Sequence, residues 1–217
     1  MLLTGFQSYG GRSINPAEEI VKALDGEVIE GELVIGRTLP VDYDELRPRI
    51  EQLIKETEPR AVICLGLWPG EAMIRLERIA SNIADFEIAD NSGTIINESI
   101  IPDGPTGLAS TLPLKVIRDA ILAAKIPVRI SGTAGQFLCN AVMYQALNCC
   151  ATIPAKPDCG FIHLPYLPEQ VVETLREISS EAKLELHQRA DLASMSLHKM
   201  IDAVSIAIKA TLKESSR

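Results

Sequence analysis

The segment 131–144 has the sequence Ser-Gly-Thr-Ala-Gly-Gln-Phe-Leu-Cys-Asn-Ala-Val-Met-Tyr. It predicts the end of a β-strand, a turn containing Gly132 and Gly135, and the first turns of an α-helix, because glycine adopts backbone conformations that side chains resist. Cys139 is placed where this helix begins. Unpaired backbone N–H groups and the positive end of the helix dipole meet there, so we expect the pKa of the Cys139 thiol to fall below about 8.5. The more common alternative is a small buried apolar side chain.

A histidine and an acid on other segments are candidate partners for this thiol. The segment 159–166 predicts a buried strand with His163 at its C-terminal end, the edge where open α/β sheets bind ligands. The other histidines, His187 and His198, lie in polar surroundings typical of a surface. Glu77 lies in a half-apolar segment upstream, and its alternative is a surface carboxylate or one that forms a salt bridge beside Arg75 and Arg78. A cysteine, a histidine and an acid from separate elements suit an activated thiol.

Strand and helix patterns alternate along the chain. They predict one domain over residues 1–217, a three-layer α/β/α fold with an open, twisted, mainly parallel sheet. Residues 87–106 are rich in turn formers and are expected to form a hairpin or a mobile flap. Strands or extended segments are predicted at 1–6, 27–38, 60–67, 73–82, 127–130 and 159–164, and helices at 16–24, 42–56, 113–125, 139–150, 168–183 and 196–213.

Composition limits the possible partners. A formal net charge of −8 and a pI near 5.0 argue against nucleic acid and against an anionic membrane surface as partners. No apolar run approaches transmembrane length, and residues 1–6 lack the features of a signal peptide. The five cysteines form no C-x-x-C pair and no metal-ligand spacing with the three histidines. We therefore expect no metal, no cofactor and a reducing, cytoplasmic location.

The chain resembles the pyroglutamyl peptidase I family, also called pyrrolidone-carboxylate peptidases, which are cysteine exopeptidases. The resemblance runs almost end to end, and it includes the 24-residue step from Cys139 to His163. It implies a catalytic triad of Glu77, Cys139 and His163, and removal of N-terminal pyroglutamate from peptides. The matching stretches are Thr4–Gly11, Ile14–Pro16, Leu39–Val41, Leu76–Arg78, Asp90–Asn91, Pro102–Pro105, Ser110–Pro113, Thr133–Gly135, Phe137–Asn140, Met143–Tyr144, Gly160–Pro168 and Ser194–Leu197.

The same resemblance implies a pocket for the neutral lactam ring. Its aromatic positions fall on Phe6, Tyr9 and Phe137, with Tyr9 where the family usually has phenylalanine. Asn15 matches the asparagine that helps to fix the first loop, and Leu67 lies where backbone groups meet the lactam. For Phe6 and Phe137 the alternative is ordinary core packing. The family also tends to form homotetramers, which implies a homo-oligomer here, and the apolar C-terminal helix is a candidate interface.

Two positions depart from the family pattern. Glu87 and Glu71 stand where the family usually carries arginine. Glu87 is expected to weaken catalysis, raise the pKa of Cys139 or shift specificity, or else to be a tolerated change in a mobile loop, with Arg75 or Arg78 as substitutes for the missing arginine. A protein that retains the pocket for binding, or that hydrolyses another small cyclic amide, therefore remains an alternative. Nucleotide binding is disfavoured, because no complete G-x-G-x-x-G or P-loop is present.

Overall fold

The computed structural model describes residues 1–178 and 192–215. Within these residues, strands and helices alternate as the sequence predicts. The strands are β1 (Leu2–Phe6), β2 (Val28–Ile29), β3 (Glu32–Leu33), β4 (Ile35–Leu39), β5 (Ala61–Leu67), β6 (Ile74–Glu77), β7 (Ile79–Ser81), β8 (Ala84–Asp85), β9 (Asn97–Glu98), β10 (Gly107–Ala109), β11 (Val128–Ser131) and β12 (Asp158–Leu164). The helices are α1 (Pro16–Leu24), α2 (Tyr43–Thr57), α3 (Leu114–Ala123), α4 (Leu138–Thr152), α5 (Pro168–Ile178) and α6 (Leu197–Glu214).

The central sheet has six strands in the order β11-β6-β12-β5-β1-β4. Four of its neighbouring pairs are parallel, and only β12 and β6 run antiparallel. The predicted mainly parallel sheet is therefore confirmed. The reversed direction of β6 sets Arg75 opposite His163 and Glu77 opposite Phe161. Residues two apart on a strand share a face, so these four side chains project from the same side of the sheet.

Helices cover both faces of the sheet. Ile63 and Leu65 of β5 join the core that α1, α3 and α6 close, whereas Val62 and Cys64 join the core that α2 and α4 close. This alternation is expected for a strand buried on both faces. The predicted three-layer α/β/α architecture is confirmed, and the Cys139 helix, α4, lies on the same side as α2.

Several local predictions have clear outcomes. The extended segment 73–82 is divided between β6 and β7, and residues 87–106 contain one short strand, β9, which pairs antiparallel with β8. The helix predicted at 168–183 is present as Pro168–Ile178, and its remainder lies outside the described residues, as does His187. His198 is exposed, as expected. None of the helices described combines the length and apolar character needed to cross a membrane.

Asn140 ties the start of α4 to the segment after β6. Its side chain is fully buried, and its Oδ1 accepts from the Ser81 backbone N–H at 2.9 Å. Its Nδ2 donates to the carbonyl oxygens of Ser81 at 2.9 Å and Ile83 at 2.8 Å. These three hydrogen bonds join the start of α4 to the end of β7 and the residues after it, and they fix the position of α4 relative to β7.

We expect Asn140→Ala to lower the free energy of unfolding by about 2–3 kcal/mol, because it leaves buried backbone groups without partners. Urea denaturation followed by circular dichroism measures this change. Asn148→Ala is the matched control on the same helix, where the side chain is partly exposed, and it should change stability by about 0.5 kcal/mol or less. Equal effects of the two substitutions would contradict the anchoring role of Asn140.

Candidate active site

Cys139 is the second residue of α4, as the sequence predicts. The preceding turn includes Gly135 at φ +81°, a conformation in which other residues are strained. The thiol sulfur lies against Gly66 of β5, where an added Cβ would be 2.7 Å from Sγ. Glycine at position 66 therefore makes room for the sulfur at the carboxyl end of the strand. The Cys139 side chain is half-buried and lines a cavity at this edge of the sheet.

His163 is the penultimate residue of β12, at the predicted C-terminal strand edge, and it lines the same cavity. Its Nδ1 is 2.8 Å from Oε1 of Glu77, and both side chains are buried. Because an ionised carboxylate only accepts, Nδ1 carries the proton and Nε2 keeps its lone pair. The structure thus places an imidazole with a free basic nitrogen and a cysteine thiol around one space.

Burial and pairing act in opposite directions on this pair. Burial favours a raised pKa for Glu77, but the hydrogen bond and charge of His163, with Ser131 and Arg75, outweigh it and hold that pKa below its usual value. For His163 burial prevails over the Glu77 carboxylate, and its pKa is lowered. At neutral pH the pair is therefore a carboxylate and a neutral imidazole, which is the form that accepts a proton.

The lowered thiol pKa expected from the helix start is wrong. Burial, followed by the negative charge of Glu77, raises the pKa of Cys139 to about 12. The helix dipole favours the thiolate, but the thiol is desolvated against Gly66 and lies near the Glu77 anion, and these two effects prevail. The resting site is a neutral thiol facing a neutral imidazole, so thiolate forms when His163 accepts the proton.

Arg75 organises the side of the site opposite the thiol. It is buried, and its Nε donates to Glu77 Oε1 at 3.0 Å while Nη2 donates to Ser131 Oγ at 2.7 Å. Its guanidinium also stacks on the Trp68 ring at 3.7 Å, and that ring contacts His163 edge-on. Glu77 therefore contacts both Arg75 and His163, so the alternative of an arginine-paired carboxylate is correct alongside the histidine contact. The Arg75–Glu77 ion pair is buried rather than on the surface.

The two departures from the family pattern differ in role. Glu71 accepts hydrogen bonds from Arg129 and from Arg75 Nη1, and the contact with Arg129 is the main reason that its pKa is lowered. Glu71 therefore neutralises basic side chains beside the site. Glu87 is exposed and lines the cavity itself. Of the possible arginine substitutes, Arg75 is committed to Glu77 and Arg78 is exposed.

The cavity has a volume of about 660 Å³. Cys139 and His163 line it, and so do all five predicted pocket residues, which are Phe6, Tyr9, Asn15, Leu67 and Phe137. Glu77 lies behind the imidazole and does not line the cavity. The structure thus brings every predicted site residue to one place. The core-packing alternative also holds in part, since Phe6 is buried and Phe137 packs against Phe86 at 4.5 Å between ring centroids.

Asn15 and Tyr9 have definable parts in the cavity wall. Asn15 Oδ1 accepts from the Ala17 N–H at 3.0 Å and caps α1, while its Nδ2 donates to the Gln7 carbonyl at 2.9 Å. The loop that carries Tyr9 is therefore tied to the helix. Burial, with the nearby Cys139 and Tyr166, raises the pKa of Tyr9 to about 12, so its phenol is neutral and available as a hydrogen-bond donor.

Sequence reasoning missed several lining residues. Trp68 directly follows β5 at its carboxyl end, and as the single tryptophan of the chain it carried a signal that was available. Ile83, Asp85 and Ile88 also line the cavity, but they lie in a segment with no recognisable motif. No group of three or more acidic, histidine or cysteine side chains in residues 1–178 and 192–215 could hold a metal ion.

A thiol at a helix start and a histidine paired with a buried carboxylate, around one cavity of an α/β sheet, define a cysteine hydrolase. A model of the family described as pyroglutamyl peptidase matches residues 1–214. The chain therefore belongs to the pyroglutamyl peptidase family. Its function is accordingly that of an enzyme of this family, a cysteine peptidase.

Individual relatives agree with this assignment. Pyrrolidone-carboxylate peptidase of Pyrococcus furiosus is 40% identical over 215 residues, covering 99% of this chain and 98% of its own. The enzyme of the same name from Treponema denticola is 37% identical, covering 100% of this chain and 94% of its own. A crystal structure of the Pyrococcus furiosus pyrrolidone carboxyl peptidase superposes with a TM-score of 0.90, covering 99% of this chain and 98% of that one.

The resting protonation state can be tested by alkylation. Because the pKa of Cys139 is raised to about 12, its labelling rate with iodoacetamide should rise about tenfold per unit between pH 7 and pH 9 without a plateau. Mass spectrometry of tryptic peptides gives the rate for each cysteine. Cys64 and Cys159 are buried internal controls that should react more slowly. A plateau near pH 7 would show a preformed thiolate–imidazolium pair instead.

Proposed function

We propose that the chain releases N-terminal pyroglutamate from peptides, with Cys139 as nucleophile, His163 as general base and acid, and Glu77 as the group that orients the imidazole. One observation supports this assignment above the others. Cys139 and His163 line one cavity, and the histidine is held at 2.8 Å by a buried carboxylate that does not reach the cavity. The proton acceptor therefore faces the thiol while its tautomer is fixed from behind.

The proposed substrate matches the cavity in polarity. A pyroglutamyl group is a flat, uncharged five-membered lactam with one N–H donor and one ring carbonyl. Aromatic and aliphatic side chains at Phe6, Leu67 and Phe137 suit its faces, and a few polar groups suit its edge. The ring nitrogen carries no preceding residue, so a pocket that encloses the ring admits only the amino terminus of a peptide.

The proposed reaction proceeds in two stages. The Cys139 sulfur attacks the carbonyl carbon that joins pyroglutamate to the next residue, and its proton moves to Nε2 of His163. The carbon–nitrogen bond then breaks, the leaving amine takes that proton, and a thioester to Cys139 remains. A water molecule transfers a proton to His163 and attacks the thioester. Release of pyroglutamate returns the proton to the thiol sulfur.

Backbone N–H groups at the start of α4 are the proposed oxyanion donors. Helix starts leave the first N–H groups without an intrahelical partner, and Cys139 lies in that first turn. The Phe137 carbonyl begins the helical hydrogen bonding by accepting from Ala141. The N–H groups between these residues are therefore adjacent to the sulfur that forms the tetrahedral intermediate.

Assembly as a homotetramer and a cytoplasmic location are further proposals, which rest on family resemblance and on the unpaired cysteines. The suggested interface on the C-terminal helix is not supported by its packing. Val204, Ala207 and Ile208 of α6 are buried in the core of their own domain. Light scattering coupled to size exclusion measures the number of subunits, and a monomer would overturn this proposal.

Hydrolysis of a fluorogenic pyroglutamyl amide tests the nucleophile. We expect Cys139→Ala to lower kcat by at least about 10⁴-fold while the melting temperature stays close to that of the parent, since the removed group is small and its sulfur has no hydrogen bond to another side chain among the described residues. Cys159→Ala is the control, because this buried cysteine does not line the cavity. Full activity of Cys139→Ala would remove the proposed mechanism.

The alternative, a pocket with weak or altered activity, is favoured by one observation: the Glu87 carboxylate is in the cavity wall. The same assay separates the two cases. Low parent activity that rises in Glu87→Arg would support a detuned site. Absence of turnover in both proteins under reducing conditions would support binding, or hydrolysis of another small cyclic amide.

We expect Glu77→Gln to lower kcat by about 10²–10⁴-fold, because the amide can present its N–H₂ to the imidazole and stabilise the wrong tautomer. Steady-state kinetics at pH 7.5 measures the effect. Glu71→Gln is the matched control, since Glu71 also bonds Arg75 but acts on His163 only through its charge, without a hydrogen bond to the imidazole among the described residues. That control should lose less than about tenfold. Comparable losses in both variants would assign the effect to Arg75 rather than to histidine orientation.

A further inference from the structure

The cavity is larger than the lactam requires. A five-membered ring fills only a small part of its 660 Å³, the part enclosed by the aromatic residues near Cys139. The rest is bounded by side chains that follow β7, at Ile83, Asp85, Glu87 and Ile88. We call residues 83–88 the outer wall. A peptide cleaved at Cys139 must leave the ring pocket on its far side, so the residue after pyroglutamate has this space available.

The outer wall combines apolar and acidic surface. Ile83 is 40% exposed and Ile88 is 56% exposed, although apolar side chains of this size are usually buried. Asp85 is held in place because Asn97 Nδ2 donates to its Oδ1 at 3.0 Å and its backbone N–H donates to the Gln136 carbonyl.

Glu87 adds a second carboxylate. It is exposed, and within residues 1–178 and 192–215 no basic side chain forms an ion pair with it. No lysine or arginine lines the cavity in that part of the chain, and the pKa of its one histidine, His163, is lowered, so that residue is neutral. Two carboxylates and no cationic lining side chain among the described residues favour a negative potential at the cavity mouth, in a protein of net charge −8.

We propose that the outer wall binds the residue that follows pyroglutamate and selects a long cationic side chain, lysine or arginine, at that position. The methylene groups of such a side chain would pack on Ile83 and Ile88, and its charged end would pair with Glu87, with Asp85 adding to the attraction. An acidic residue at the same position meets like charge and is disfavoured. This inference rests on the proposed pyroglutamyl peptidase function and names its preferred substrates.

The expected size of the preference for a cationic side chain follows from the solvent exposure of the outer wall. Ion pairs at an exposed rim contribute little each, so we expect an advantage of about threefold to tenfold over an uncharged side chain of equal length. The charge-dependent part should shrink as salt is added, because screening at about 1 M salt confines such attraction to roughly 3 Å. The packing part on the two isoleucines should remain.

The test compares kcat/KM for pyroglutamyl-lysine amide, pyroglutamyl-norleucine amide and pyroglutamyl-glutamate amide, with the amine product quantified by mass spectrometry. We expect the lysine substrate to exceed norleucine about threefold to tenfold, and the glutamate substrate to fall below norleucine by a similar factor. In Glu87→Gln the lysine-to-norleucine ratio should drop toward one. Glu98→Gln is the matched control, since Glu98 is an exposed carboxylate on β9 outside the cavity, and it should keep the parent ratio.

Three other results would each overturn a different part of the proposal. Equal kcat/KM for the three substrates would overturn the charge selection while leaving the peptidase function intact. An equal loss of the lysine-to-norleucine ratio in Glu87→Gln and Glu98→Gln would assign the preference to net charge and overturn the binding role of the outer wall. Absence of cleavage of all three substrates by the parent would overturn the proposed function itself.

Discussion

The site depends on one buried carboxylate that serves two partners. Oε1 of Glu77 receives the imidazole N–H of His163 and the Nε of Arg75, whereas Oε2 has no protein partner within the described residues. An ionised carboxylate removed from water is costly unless it is paired and hydrogen-bonded. Arg75 stabilises the negative charge of the carboxylate, and that carboxylate orients the imidazole of His163. His163 and Arg75 together keep Glu77 ionised, which is the state that can hold the Nδ1 proton of the imidazole.

The reversed strand β6 makes this arrangement possible. In antiparallel register with β12, Arg75 lies opposite His163 and Glu77 lies opposite Phe161, so the acid reaches the histidine diagonally on one face. The neighbouring parallel pairs bring Leu67 to the same edge as His163, and the start of α4 follows β11. One antiparallel pair in a mainly parallel sheet thus places the acid beside the base at the edge where α4 presents the thiol.

Local patterns in the sequence predict the parts of this site but not their assembly. Glycines before a helix place Cys139 at a helix start, and an apolar run ended by proline places His163 at a strand edge. The hydrogen bond between His163 and Glu77 joins residues 86 positions apart and requires the reversed strand, which neighbouring residues do not encode. The activity was predicted from family resemblance. The thiol pKa was predicted wrongly because burial is a property of the whole fold.

Glu77 has opposite effects on the two groups that exchange a proton. It disfavours the Cys139 thiolate, and it favours the His163 imidazolium. It is hydrogen-bonded to the imidazole, and no hydrogen bond to the thiol is present among the described residues, so the favourable interaction is the shorter one. Coulomb energies fall with distance, so the net contribution of Glu77 to proton transfer from sulfur to nitrogen is favourable, although the resting thiol and imidazole stay neutral. The same carboxylate therefore adds to burial in keeping the free thiol protonated, and it stabilises the imidazolium that forms when the sulfur attacks a substrate carbonyl.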